Sequence, residues 1–271
     1  MAKIIKRENN LVKPYEEHKK KGIRFFTIGG ILFLLEVITF PLHLLTFGLS
    51  FIITMPIGLG AMVCIGVGAY NLNKSAIYKS GLVGEAISEG VLNNLPDDYY
   101  VFPSIDIEFE GRKSQLDHLV VGPTGIFIVE AKNVNGHIVG NSESRDIIIH
   151  KIGQKGTPYQ SRMYNPIKQV ATHVYRTSSY LREEGISTWV QGMVYFTNPE
   201  STVNLPSNNI PVFSENEGGG RELYNYILHY DNAKGLSKDE IEIVVRAVKK
   251  NLNQQGNKPL SSSPYVTDYD I

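Results

Sequence analysis

Gln115-Leu-Asp-His-Leu-Val-Val-Gly-Pro-Thr-Gly-Ile-Phe-Ile-Val-Glu-Ala-Lys132 is the stretch on which the fold of this 271-residue chain turns. Two apolar, β-branched runs, 116–121 and 126–131, flank Gly122-Pro123-Thr124-Gly125, the pattern of a β-hairpin closed by a four-residue loop. Pairing Val121 with Ile126 places Asp117 opposite Glu130 and Gln115 opposite Lys132. Side chains alternate along a strand, so Asp117, Glu130 and Lys132 share a face with Leu119, Val121, Ile126 and Ile128. The other face carries Leu116, Val120, Phe127 and Val129. Both faces read as buried, as in a central strand pair.

Two carboxylates and a lysine at the polar end of such a hairpin have two physical explanations. One is a cross-strand ion cluster on a solvated sheet edge. The other is a bound divalent cation, which offsets the repulsion between buried acids. Hard cations such as Mg²⁺ take one or two carboxylates plus water and substrate phosphate. The apolar residues on both faces favour the cation site, and Lys132 then stands where it can orient water or stabilise phosphate charge.

Asp117, twelve intervening residues and then Glu130-Ala131-Lys132 resembles the D-(x)n-[DE]-x-K signature of the PD-(D/E)xK nuclease superfamily. More narrowly, residues 115–121 with 125–133, in a context running from Gly81 to about Gln169, resemble the nuclease-related domain (NERD) family. The resemblance implies an α/β fold with an αβββαβ core, a mixed central sheet flanked by helices. It implies Mg²⁺ or Mn²⁺ held by Asp117, Glu130 and the backbone carbonyl of Ala131. Gly81-Leu82-Val83-Gly84-Glu85 is similar to the family's opening helix, which makes Glu85 a further carboxylate, acting directly or through water. Lys132 would position or help deprotonate the attacking water. Asn165-Pro166-Ile167-Lys168-Gln169 is similar to the motif whose glutamine reaches the active site, which assigns Gln169, with His173 as a neighbour. One departure stands out: Ile147-Ile148-Ile149-His150 replaces a tryptophan frequent near that strand, read here as a packing difference.

Net charge is zero overall but unevenly placed. Residues 1–70 carry eight Lys/Arg against four Asp/Glu, and 71–271 carry nineteen against twenty-three. A mildly acidic globular part does not advertise strong nonspecific nucleic-acid binding, so nuclease function would rest on a local site. The single cysteine, Cys64, lies in an apolar run and excludes a disulfide framework or cysteine zinc site.

Residues 1–24 form a basic segment expected to be cytoplasmic. From 25 to 70 the chain is apolar, interrupted by Glu36, His43, Pro41 and Pro56. That length holds two bilayer spans, near 25–45 and 47–70, joined by a very short turn. Lys19, Lys20, Lys21 and Arg24 precede the first span, Lys74 and Lys79 follow the second, and the turn has no Lys or Arg. The positive-inside rule puts both termini in the cytoplasm. Glu36 within a span marks an ion or helix-contact site or, equally, sits near an interface or pairs with His43; no function is assigned to it.

Residues 75–95 read as a helix stopped by Pro96, 99–102 and 105–109 as strands, and 110–113 as a turn. Short strands are expected at 137–139 and 147–150, with His137 and His150 as surface residues near turns, then a mobile loop at 154–162. Asn165 and Pro166 start a helix. A buried strand at 189–196, a loop at 198–209 and a short strand at 210–213 follow. Gly218-Gly219-Gly220 lacks the Lys-[Ser/Thr] of a P-loop and reads as a flexible turn. Helices are expected at 221–229 and 237–252, the second with Ser237 and Glu240 as a capping box. The expected organisation is a basic segment (1–24), a transmembrane hairpin (25–70), a nuclease-like domain (75–215), C-terminal helices (216–255) and a disordered tail (256–271). The functional expectation is a membrane-anchored, cytoplasm-facing nuclease acting on nucleic acid, DNA ahead of RNA. The alternatives are a non-catalytic nucleic-acid or protein binding module on the same fold and, more weakly, a membrane-hairpin scaffold.

Overall fold

The structure, a computed structural model, describes residues 1–5, 8–153, 155–231 and 235–256. The tail expected at 256–271 lies, from 257 on, outside the described residues. The chain divides into two units, one of Asn10–Leu82 and one of Met1–Asn9 with Val83–Ile271.

The first unit is a helical hairpin of α1 (Val12–Leu45) and the larger part of α2 (Leu49–Leu92). Phe47 and Gly48 take positive φ (50° and 86°), and the Gly48 N–H bonds the His43 carbonyl at 2.8 Å, closing the short turn expected between the spans. Glycine lets the two helices approach. A Cβ on Gly29 would lie 2.8 Å from Ile65 Cγ1, and one on Gly68 2.7 Å from Phe26 Cδ2. The apolar side chains away from that seam are exposed, Leu45, Ile38, Ile52 and Met62 among them. Both helices are long and apolar enough to cross a bilayer, and their apolar stretches are only 6% and 17% buried, unlike the core helices of soluble proteins. His43 bonds Ser50 (2.7 Å) and Thr54 (3.3 Å) rather than Glu36. The helix expected at 75–95 is not separate: it is the continuation of α2, because nothing between 70 and 75 breaks a helix.

The second unit is a mixed α/β domain. Its strands are β1 (Lys3–Ile4), β2 (Tyr100–Phe109), β3 (Arg112–Gly122), β4 (Gly125–Lys132), β5 (Gly136–Val139), β6 (Asp146–Ile152), β7 (Pro158–Tyr164), β8 (Val190–Phe196), β9 (Ser201–Asn204) and β10 (Val212–Ser214). Its helices, besides the end of α2, are α3 (Pro166–Glu183), α4 (Gly219–Leu228) and α5 (Lys238–Gly256). The main sheet runs β1-β2-β3-β4-β8-β10, antiparallel from β2 to β4 and parallel at β1–β2, β4–β8 and β8–β10. The order α2-β2-β3-β4-α3-β8 is the expected αβββαβ core. A second sheet runs β7-β6-β5-β9; β5 to β7 are inserted between β4 and α3, and β9 joins from beyond β8. One core packs β2–β4 against α3 and α5 (Leu119, Ile128, Leu181, Val244), and another packs the opposite face against α2 and α4 (Val120, Phe127, Leu92, Leu223).

Several expectations are corrected. The two strands expected at 99–102 and 105–109 are one, Tyr100–Phe109, running through Pro103. Proline is tolerated there because β1 covers only Tyr100 and Val101, leaving an open edge beyond. The expected loop at 154–162 contains β7, and the one at 198–209 contains β9; Lys3 and Ile4, read as part of a polar segment, extend the main sheet. Gly218 ends a single 3₁₀ turn at φ 79°, and Gly219 and Gly220 begin α4 rather than a flexible turn. Glu215 holds that turn, accepting from Gly220 N (3.0 Å) and the Tyr195 hydroxyl. The caps at Asn165 (3.0 Å to Ile167 N) and Ser237–Glu240 (2.7 Å) form as the sequence indicates.

Candidate active site

The hairpin register is the expected one, from Gly122↔Gly125 through Val121↔Ile126 to His118↔Val129. It stops there, so no ladder joins Gln115 to Lys132. At Asp117 both neighbouring ladders are interrupted. On the β2 side Pro103 pairs with His118 and Ile105 with Leu116, while Ser104, between them, takes φ 47°. Leu116 consequently packs in the same core as Leu119, together with Ile105 and Phe102. Strict alternation had placed Leu116 on the opposite face. The distortion, like a β-bulge beside an active site, re-aims one side chain. That side chain is Asp117, whose carboxylate accepts the Ala131 N–H at 2.8 Å.

Glu130 and Lys132, two residues apart at the end of β4, lie buried together. Lys132 Nζ donates to Glu130 Oε1 at 2.7 Å and to Gln169 Oε1 at 3.0 Å. Gln169 and His173 stand one turn apart on α3. Glu130 Oε2 makes no hydrogen bond and lies 3.5 Å from His173 Nε2. Close helix placement follows from Gly192 on β8: a Cβ there would sit 2.2 Å from Val170 Cγ1 and 2.8 Å from Val174 Cγ2. Glycine plays the same part at Gly84, where a Cβ would come within 2.9 Å of Asn133 Cβ and 3.2 Å of Thr197 Oγ1. Gly84 thereby brings the next residue, Glu85, toward the end of β4. Glu85 is buried and accepts from Asn9 Nδ2 at 2.7 Å.

The electrostatics are those of crowded acids. Burial, then repulsion from Glu130 and Glu85, holds the Asp117 carboxyl well above its usual range. Burial, with repulsion from Glu130 and Glu89 outweighing the Asn9 bond and Lys132, raises Glu85 to about 7. Glu130 goes the other way. Burial opposes its charge, but the Lys132 ammonium and then His173 outweigh burial and hold it at about 2. On the far face of β3, His118 is fully buried against Ser88 (3.2 Å), and burial lowers it to about 4.

Among the described residues no three His, Cys, Asp or Glu side chains are grouped to hold a metal ion. The smaller set of Asp117, Glu130 and a backbone carbonyl nevertheless suits a hard cation that keeps several waters. The buried, unbonded Glu130 Oε2 and the mutual repulsion of three acids are the features a divalent cation relieves. Glu85 joins this group electrostatically; its hydrogen bond goes to Asn9. Asn9, Ser104 and Gly192 escaped the sequence reading. Their only signals, a polar residue near the N-terminus, a serine after proline and a glycine in an apolar strand, are too common to single out.

The fold and the Asp-Glu-Lys cluster at the hairpin's end are those of a nuclease-like domain. Residues 80–197 match the nuclease-related domain (NERD) family. An uncharacterized protein of Bacillus anthracis is 35% identical over 96 residues, which are 35% of this chain and 43% of that protein, so the match spans less than half of the relative's length. No solved structure gives a significant match.

Proposed function

We propose that the chain is a membrane-anchored, cytoplasm-facing nuclease that hydrolyses phosphodiester bonds with Mg²⁺ or Mn²⁺, in DNA ahead of RNA. The observation that carries this reading is the placement of Lys132 Nζ between Glu130 Oε1 and Gln169 Oε1, with Asp117 tied to the peptide between Glu130 and Lys132. Asp117, Glu130 and the Ala131 carbonyl would hold the cation, and Glu85 would add charge to the site. The cation, when bound, neutralises phosphate charge and acidifies water. Lys132 positions the attacking water or a phosphate oxygen, and Gln169 fixes the ammonium by its carbonyl. Glu130 holds the Lys132 ammonium in place through their 2.7 Å ion pair until substrate arrives. The lipid bilayer is met through residues 25–70.

The test uses the full chain in detergent, with single-stranded, duplex and branched DNA and with RNA, in Mg²⁺, Mn²⁺ or EDTA. Metal-dependent cleavage that disappears in Lys132→Ala, with folding retained, is the expected outcome. Undiminished cleavage by that variant sinks the assignment, and no cleavage and no Mn²⁺ binding by the folded wild type would favour the binding module.

A further inference from the structure

The second sheet carries a row of polar side chains that the nuclease reading does not use. Thr202 on β9, His137 on β5, His150 on β6 and Gln160 on β7 lie directly across the four strands, paired Thr202↔His137, His137↔His150 and His150↔Gln160. All four are exposed on one face. The two imidazoles stand with ring centres 6.0 Å apart and planes inclined by 38°. The His137 Nδ1 meets the Thr202 hydroxyl at 2.8 Å, and the His150 Nδ1 faces the Gln160 amide nitrogen, Nε2, at 3.4 Å. Each Nδ1 is thus engaged on the outer side of the pair. Among the described residues neither Nε2 has a hydrogen-bond partner.

We infer that His137 and His150 form a transition-metal site, Zn²⁺ above all, on the face of this sheet. The chemistry follows from the nitrogens. Imidazole suits Zn²⁺, Cu²⁺ and Ni²⁺, whereas carboxylate and water suit Mg²⁺ and Mn²⁺, so this site and the acidic one select different ions. Ligating histidines are ordinarily fixed by a hydrogen bond donated from the other ring nitrogen; the Thr202 hydroxyl accepts one from His137, and the Gln160 amide, turned over to present Oε1, accepts one from His150. Two imidazoles bound through Nε2 to a tetrahedral ion place their ring centres about 5–6 Å apart, given Zn–N bonds of 2.0–2.1 Å. The observed separation needs only a small side-chain rotation. The pair lines an open cavity of about 980 Å³ with room for the ion and for the waters that fill its remaining positions. A bound ion would staple β5 to β6. Gly136, where β5 begins, follows Lys132 by four residues, so the staple would stiffen the segment leaving the catalytic strand.

Calorimetric titration of the full chain in detergent with ZnCl₂, near neutral pH, tests this. One Zn²⁺ should bind per chain with micromolar affinity. His137→Gln and His150→Gln should each weaken binding at least tenfold, while the Mn²⁺ isotherm stays unchanged in both. Both histidines are exposed, so these variants are expected to fold; Cu²⁺ electron paramagnetic resonance on the unaltered chain gives a second reading and should show coupling to imidazole nitrogen. A Zn²⁺ isotherm unchanged in the double variant, displacement of Zn²⁺ by Mn²⁺, failure of the wild type to bind Zn²⁺, or a Cu²⁺ spectrum without nitrogen coupling would each overturn the inference.

Discussion

Asp117 occupies the one position where both adjoining ladders lose their pairing, and its charge is expensive there. Its ionised form is disfavoured by burial, Glu130 and Glu85, so stability is lost as pH rises through the raised value. Asp117→Asn keeps an oxygen for the Ala131 N–H and removes the repulsion. In EDTA at pH 8 its melting temperature should exceed the wild type's by roughly 2–4 °C, while Mn²⁺ binding by calorimetry is lost. A lower melting temperature with Mn²⁺ binding intact would show that Asp117 is structural instead. His118, one residue on, behaves oppositely. It titrates at 6.5 when solvated and at about 4 in the fold, so its contribution is complete above pH 6.5 and is lost as pH falls toward 4. The two values correspond to about 3 kcal/mol across that window. Melting curves of His118→Asn between pH 7.5 and 4 should be flatter than the wild type's, although the variant starts less stable because it disturbs a packed site; a parallel pair of curves would refute the buried neutral imidazole.

At the scale of elements, α3 is the piece whose position the catalytic group depends on, since Gln169 and His173 both ride on it. Gly192→Ala puts a Cβ where Val170 and Val174 now pack, and α3 must move. Overpacking of this kind costs about 1–3 kcal/mol. Displacing Gln169 from Lys132 should lower cleavage at least tenfold, because small misplacements of positioning groups are costly. Mn²⁺ affinity should change little, as both carboxylates lie on other elements. A variant with wild-type turnover would show that α3 tolerates the shift. This dependence marks the limit of what the sequence reveals. The hairpin register was legible because Val121 and Ile126 sit in unbroken apolar runs around a turn, and Asn165-Pro166 and Ser237–Glu240 announced their helices by caps. The flip of Leu116 was not, because it originates in the backbone of Ser104, a tertiary strain with no local code. Residues 158–162 of β7 were read as loop for a related reason: the strand leaves most of its residues exposed and lacks a strong apolar alternation. The His137–His150 pairing was likewise hidden, since only the register of β5 on β6 makes two separated histidines neighbours.

For the whole molecule, the uneven charge and the apolar hairpin set one physical constraint. No Lys or Arg occurs between residues 25 and 73, while Lys19, Lys20, Lys21 and Arg24 precede that interval and Lys74 and Lys79 follow it. In the proposed topology, retention of positive flanks on the cytoplasmic side would put the 46–48 turn across the membrane and leave both termini on the near side. Topology then decides which nucleic acids the Asp117–Glu130–Lys132 cluster can meet, because a site on the cytoplasmic side sees intracellular DNA and RNA. Cys64 is the only cysteine, so a Cys64→Ser background permits single-thiol mapping. In intact cells a membrane-impermeant maleimide should label Phe47→Cys, whose side chain is almost fully exposed at the turn. Glu8→Cys and Arg221→Cys should react only after lysis. Labelling of Arg221→Cys from outside would reverse the orientation and turn the proposed substrate into extracellular nucleic acid. Labelling of Phe47→Cys only after lysis, with the chain released from membranes by alkaline carbonate, would instead make the hairpin a surface-bound element that never crosses.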